Sequence, residues 1–281
     1  MTTRALVLGG GGVAGIAWEL GLISGWAAGG VDVRQADLVI GTSAGSIVGT
    51  LLRTGGELQS LYEGQLGDVP ATEPPVQFDM TAMMTAFAEA LAGVSGQQEA
   101  RARIGALALA AATVPEGERR AIIEGRIGDP EWPAATLLVT AVDTADGDFI
   151  AFDSSSGVRL LDAVAASCAV PGVWPPITVA GRRCMDGGMR SYTNADLAEG
   201  YDKVLVVAPM TGMPDSPLGP SLAAEVKTLR QDADVQVVAA DDAALAALGA
   251  NPLDPATRQP SARAGRAQAG ATIETVRAFW G

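Results

Sequence analysis

The sequence predicts an α/β fold: a three-layer α/β/α arrangement around a mainly parallel sheet, with a helical insert near a crevice at one sheet edge. Three observations carry that expectation. A strand, a glycine-rich turn and a helix follow one another twice near the start, at residues 5–28 and 38–52. Strand and helix patterns alternate again from residue 203 onward. Hydrophobic residues make up 48% of the 281 positions, enough to bury a sizeable core. The chain reads as one domain over residues 1–281, with the insert at about 55–132.

The first apolar run, residues 5–8, leads into Gly9-Gly10-Gly11-Gly12-Val13-Ala14-Gly15 and a helix that stops at Gly29-Gly30. Residues 38–40 form a second buried strand, followed by Gly41-Thr42-Ser43-Ala44-Gly45 and a helix over 46–52. From 55 to about 132 the pattern is helical. Met80, Met83, Met84, Phe87 and Leu91 share one face there, and a second, Ala- and Leu-rich helix covers 99–113. This insert is expected to cap the crevice, since methionine-rich faces adapt to irregular ligands, although such a stripe also reads as plain core. Val69-Pro70 and Thr72-Glu73-Pro74-Pro75 read as a mobile connector.

Strands resume at 136–142 and 149–152, where Asp146-Gly147 between apolar runs signals a hairpin and makes Asp146 a turn residue. A helix over 160–169 closes at Pro171-Gly172, and two short strands, 177–179 and 182–185, lead to Asp186-Gly187-Gly188. Next come a strand at 203–208, a Pro/Gly-rich loop, a helix to 230, a strand at 235–239 and further helices. Arg258, Arg263 and Arg266 on the late helix are read as a solvated face.

Composition removes several function classes. With 19 Lys+Arg against 32 Asp+Glu the net charge is −13, which opposes nucleic acid and strongly anionic membranes and leaves neutral or zwitterionic lipid as a partner. The chain has no histidine, so a Ser-His-Asp triad and a histidine-ligated zinc site are both impossible. Cys168 and Cys184 match no metal or redox spacing and are expected reduced and packed. No apolar run reaches the ~18 residues of a spanning helix, and the start lacks a secretory pattern, which points to a soluble, cytoplasmic protein without cofactor or metal.

Two motifs carry chemistry. Gly41-x-Ser43-x-Gly45 between a strand and a helix is a nucleophile elbow: the turn is too tight for side chains at Gly41 or Gly45, and Ser43 is pushed outward. The same five residues also suit an ordinary strand-to-helix turn. Gly10-x-Gly12-x-x-Gly15 fits a dinucleotide fingerprint, yet the acidic ribose anchor expected at the end of the second strand is missing. The alternative use of the loop is an oxyanion hole, with unobstructed backbone N–H groups at a helix N-terminus. A right-handed crossover places both strand ends on one sheet edge.

The glycine loop, the elbow and the late Asp186-Gly187-Gly188, together with Ala165-Ala166-Ser167-Cys168-Ala169-Val170-Pro171 before it, resemble the patatin-like phospholipase family in order and over most of the chain. The resemblance implies a Ser-Asp dyad, with Ser43 as nucleophile, Asp186 as base, Gly10, Gly11 and Gly12 as oxyanion donors, and Gly15, Gly41, Gly45, Gly187 and Gly188 as motif support. The activity it implies is hydrolysis of lipid carboxylic esters through an acyl-enzyme, at a membrane surface or in solution. The alternative it leaves open is an inactive lipid-binding protein on the same fold. The family's glycine loop usually carries Arg or Lys before its last glycine; Ala14 stands there, which weakens the case for a phospholipid head group more than that for an ester.

Overall fold

The computed structural model describes residues 2–68 and 80–281, with the side chain of Met80 also outside the description. The 69–75 connector and the Met80 position of the methionine face therefore lie outside the described residues. In chain order the elements are β1 (Arg4–Leu8), α1 (Gly12–Ala28), β2 (Leu38–Gly41), α2 (Ala44–Arg53), α3 (Leu58–Leu66), α4 (Met80–Leu91), α5 (Gln97–Ala110), α6 (Glu116–Ile127), β3 (Thr136–Asp143) and β4 (Phe149–Phe152). They continue with α7 (Leu160–Ser167), β5 (Ile177–Val179), β6 (Arg182–Asp186), β7 (Lys203–Ala208), α8 (Leu222–Leu229), β8 (Asp234–Ala239), α9 (Asp242–Leu248) and α10 (Arg258–Trp280).

Strands β3, β2, β1, β7 and β8 run parallel in that spatial order, and β4, β5 and β6 join antiparallel. Because side chains alternate along a strand, Leu6 and Leu8 face one layer, with Trp18 and Leu22 of α1 and Ile47 of α2, while Ala5 and Val7 face Leu222 and Val226 of α8. The layered α/β/α architecture expected from the sequence is the one observed. The hairpin at Asp146-Gly147 also stands: Gly147 has φ +72°, and Asp146 Oδ1 accepts from the Asp148 N–H at 2.9 Å.

Two expectations change. Arg258 and Arg266 of α10 are not a solvated face. Arg258 is buried and donates to the Gly64 carbonyl of α3 at 2.9 Å; Arg266 donates to Ser24 Oγ of α1 at 2.9 Å and stacks on Tyr62. The methionine-bearing α4 also sits elsewhere than expected. Phe87 and Leu91 pack with Ile104, Val142 and Met185, and Val142 alternates with Ala141, so this cluster lies on the sheet face opposite α1 and α2. The part of the insert that reaches the crevice is α6.

Register, more than proximity in sequence, builds the crevice. Val139 of β3 pairs with both Gly41 and Phe152, and Ala141 pairs with both Ile150 and Asp186. A strand has only two edges, so β2 and β6 must share one edge of β3, with β4 on the other. Asp186 therefore stands two positions, ~6.6 Å, beyond the end of β2, where the chain turns into Ser43.

Candidate active site

The turn after β2 is strained. Ser43 has φ 51° and ψ −112°, a conformation that costs a non-glycine residue about 1–3 kcal/mol and persists only if its surroundings fix it. They do. The Ser43 N–H donates to Ser167 Oγ at 2.9 Å, and its carbonyl accepts from Ser46 Oγ at 2.6 Å and from Cys168 Sγ at 3.3 Å. The elbow glycines are sterically required: a Cβ on Gly41 would stand 2.5 Å from Ser46 Cα, and one on Gly45 would stand 2.0 Å from the Leu8 carbonyl oxygen.

Asp186 is the last residue of β6 and is 3% exposed. Its N–H donates to the Ala169 carbonyl at 3.0 Å, and its Oδ1 accepts from the Gly188 N–H at 2.7 Å. Burial pushes its pKa up to about 6, opposed by the Gly188 N–H, the Ser43 side chain and the Arg119 charge. Ser43 is thus near enough to influence the carboxyl, yet Asp186 Oδ2 is buried without a full hydrogen bond. Loose contacts of that kind are common in unliganded sites and tighten on substrate binding. Gly187 admits no side chain, since its Cβ would meet Thr140 Oγ1 at 2.2 Å.

The stretch 165–171 links the two halves. Ser167 and Cys168 hold the Ser43 backbone and Ala169 holds that of Asp186, roles that sequence reasoning missed although it singled out the segment. Cys168 also lines the Ser43 pocket, but burial pushes its pKa up to about 11, so it stays a protonated thiol at neutral pH.

The glycine loop lies against the elbow: Gly45 N–H donates to the Gly9 carbonyl at 3.0 Å, and a Cβ on Gly10 would stand 3.6 Å from Ser43 Cβ. Gly15 packs against Ala44, where an added Cβ would come within 3.3 Å. One expected donor drops out. The Gly10 N–H is spent on the Tyr192 carbonyl at 2.7 Å, whereas the N–H groups of Gly11 and Gly12 have no partner among the described residues. Gly12, at φ +63°, lines the pocket directly.

The pocket beside Ser43 is walled by Val13, Ile16, Ile47, Ile122, Trp174 and Leu253 and holds about 20 Å³, room for a single water. Val13, Ile16, Ile47 and Arg126 also line a neighbouring cavity of about 200 Å³ that extends past Leu51 and Leu61. Ala14 is buried, so the cationic groups at the pocket come from α6: Arg126, and Arg119, which stacks 4.0 Å from the Trp174 ring and donates to the Cys168 carbonyl at 3.0 Å. Among the described residues no set of three His, Cys, Asp or Glu side chains gathers to ligate a metal.

A second buried carboxyl went unnoticed in the sequence. Glu19 of α1 is fully buried with neither side-chain oxygen in a full hydrogen bond, and burial drives its pKa well above the usual range, only partly opposed by the Gly9 backbone amide. Below the unfolded value of ~4.3 both states hold the proton; above it the unfolded chain releases it while the folded chain keeps it, so stability falls as pH rises. Glu19→Gln removes that term. Its melting temperature should exceed that of the wild type at pH 8 by more than at pH 5, as thermal unfolding at the two pH values will check.

Among the described residues no helix is long and apolar enough to cross a membrane. The solved structures to which the chain is similar include VipD from Legionella pneumophila, at 13% identity over 98% of this chain and 67% of that one, with a TM-score of 0.45. Others are the type III effector protein ExoU, at 15% over 98% and 53% with a TM-score of 0.42, and the full-length SpcU–ExoU complex of Pseudomonas aeruginosa, at 13% over 99% and 52% with 0.43. The chain thus spans two thirds of the first and about half of the others. No curated protein matches it. The family model described as Patatin-like phospholipase matches residues 6–199, well over half of the sequence, and the chain belongs to that family.

Proposed function

We propose that the protein is a serine acyl hydrolase that cleaves carboxylic esters of lipids, with Ser43 as nucleophile, Asp186 as its base, and the N–H groups of Gly11 and Gly12 as oxyanion donors. The observation that carries this reading is the register that sets a buried carboxylate two strand positions beyond the end of β2, where the chain makes the strained Ser43 turn, with one oxygen uncommitted. We read the chain as one domain, with α6 as the functional part of its helical insert.

In the first step Ser43 Oγ attacks the ester carbonyl while Asp186 Oδ2 takes the hydroxyl proton. The tetrahedral oxyanion is held at the glycine loop, and the leaving alcohol recovers the proton from Asp186. Water, deprotonated by Asp186, then hydrolyses acyl-Ser43. A carboxylate is a weaker base than the absent histidine, by ~2.6 units and so about 3.5 kcal/mol for unperturbed groups. A pKa of about 6 brings Asp186 close to the histidine value of ~6.5 and offsets most of that deficit. The acyl chain runs over Val13, Ile16 and Ile47 toward the larger cavity.

Two measurements test the reading. Against p-nitrophenyl esters of graded chain length and phospholipid vesicles, the wild type should hydrolyse the esters. No turnover of any ester by folded protein would favour the lipid-binding alternative. Gly12→Ala should lower kcat about 10²–10³-fold, as losing an oxyanion donor does. Its backbone at φ +63° and its Cβ, 2.6 Å from the Pro252 carbonyl oxygen, would displace the loop. Unchanged kcat would move the oxyanion site elsewhere.

A further inference from the structure

Asn194 belongs to neither motif, yet it lies beneath both. It is fully buried, with a left-handed backbone (φ 50°, ψ 39°) that asparagine tolerates better than most residues. The orientation of its amide is fixed chemically. Arg190 Nη1 donates to Asn194 Oδ1 at 2.8 Å, and Arg190 is itself held by Asp196 at 2.9 and 2.5 Å and stacked over Phe149. With a guanidinium on the oxygen, Nδ2 must face the other way.

There Nδ2 meets Thr42 Oγ1 at 3.0 Å and the Ser191 carbonyl at 2.8 Å, with the Gly187 carbonyl at 3.3 Å and Thr140 Oγ1 at 3.4 Å in longer, shared contacts. Thr42 precedes Ser43, and Gly187 follows Asp186. Thr42 and Thr140 are fully buried and hydrogen-bonded to each other at 2.9 Å, so the three polar side chains form one closed hub.

We propose that Asn194 is a positioning residue for the hydrolytic reaction, a buried clamp whose amide ties the hydroxyl of Thr42, the residue before Ser43, to the carbonyl of Gly187, the residue after Asp186. This inference rests on the Ser43–Asp186 reading above. The clamp acts on the base through one further contact. The Gly187 carbonyl anchors the short turn whose next amide, Gly188 N–H, holds Asp186 Oδ1 at 2.7 Å. Arg119 and Ser43 also act on that carboxyl, and the Tyr192 hydroxyl and Cys168 thiol lie within its field; Arg190, Asp196 and, through Thr193 at 2.5 Å, Glu225 surround the clamp from behind.

The test compares wild type, Asn194→Gly and Thr42→Val. Glycine accepts the left-handed backbone, so Asn194→Gly removes the amide without adding strain. We expect it to lower kcat for a p-nitrophenyl ester about 100-fold at nearly constant KM, the scale of an ångström-sized misplacement. We also expect the Asp186 carboxyl, followed by carbon NMR, to titrate at a higher pH as the Gly188 N–H loosens. Thr42→Val severs only the Ser43 side, so kcat should fall with the Asp186 titration unmoved. Wild-type kcat and titration in a folded Asn194→Gly variant would overturn the clamp alone. If that variant does not fold, wild-type kcat in Thr42→Val does the same. Turnover indifferent to Ser43→Ala would overturn the dyad reading and the clamp with it.

Discussion

Ser43→Ala is expected to lower ester turnover about 10⁶-fold, the scale seen when the nucleophile of a serine hydrolase is removed, while leaving the fold intact. The size of the effect follows from the elbow. Ser43 occupies a strained backbone conformation held by Ser167, Ser46 and Cys168, which fixes the point from which its side chain lines the pocket. Alanine at φ 51° bears the same strain as serine, and the turn is held through backbone atoms, so the melting temperature should stay close to that of the wild type. Cys168, its pKa raised to about 11, cannot replace the lost nucleophile at neutral pH. Turnover within tenfold of wild type would place the reaction at another residue.

Asp186→Asn should cost about 10⁴-fold in kcat, because the amide keeps the shape and accepts no proton. The pH profile makes this prediction sharper. A base must be ionised to act, and burial sets the Asp186 pKa at about 6, so wild-type kcat/KM should rise tenfold per unit below pH 6 and level off above it. An unperturbed aspartate would put that limb near pH ~3.9. The Asp186→Asn variant should lose the limb altogether, and Gly188, which holds Asp186 Oδ1, should remain in place. A limb that persists in the variant would assign the titration to a different group.

What could be read from the sequence was what local sterics dictate. Gly41, Gly45 and Gly187 stand where a Cβ would strike backbone or Thr140, and a chain without histidine points to a carboxylate as the base of the proposed dyad. What could not be read depends on contacts between distant segments. The Gly10 N–H looks as available as that of Gly11 until Tyr192, more than 180 positions later, brings its carbonyl to 2.7 Å. The helical insert was evident as a helical insert, but periodicity cannot say which sheet face it covers. Phe87 and Leu91 of α4 pack, partly buried, against Val142 and Met185, leaving Arg119, Ile122 and Arg126 of α6 to line the pocket. Asn194 gave no signal at all, because a lone asparagine after Thr193 reads as an ordinary turn.

The central claim is that Ser43 is the group that becomes acylated. Incubation with a fluorophosphonate, a reagent that captures activated serines, followed by peptide mass spectrometry should find one adduct, on the peptide containing Ser43, at a rate that rises through about pH 6 and is lost in Ser43→Ala. An adduct on any other serine, or none on folded protein that still hydrolyses esters, would contradict it.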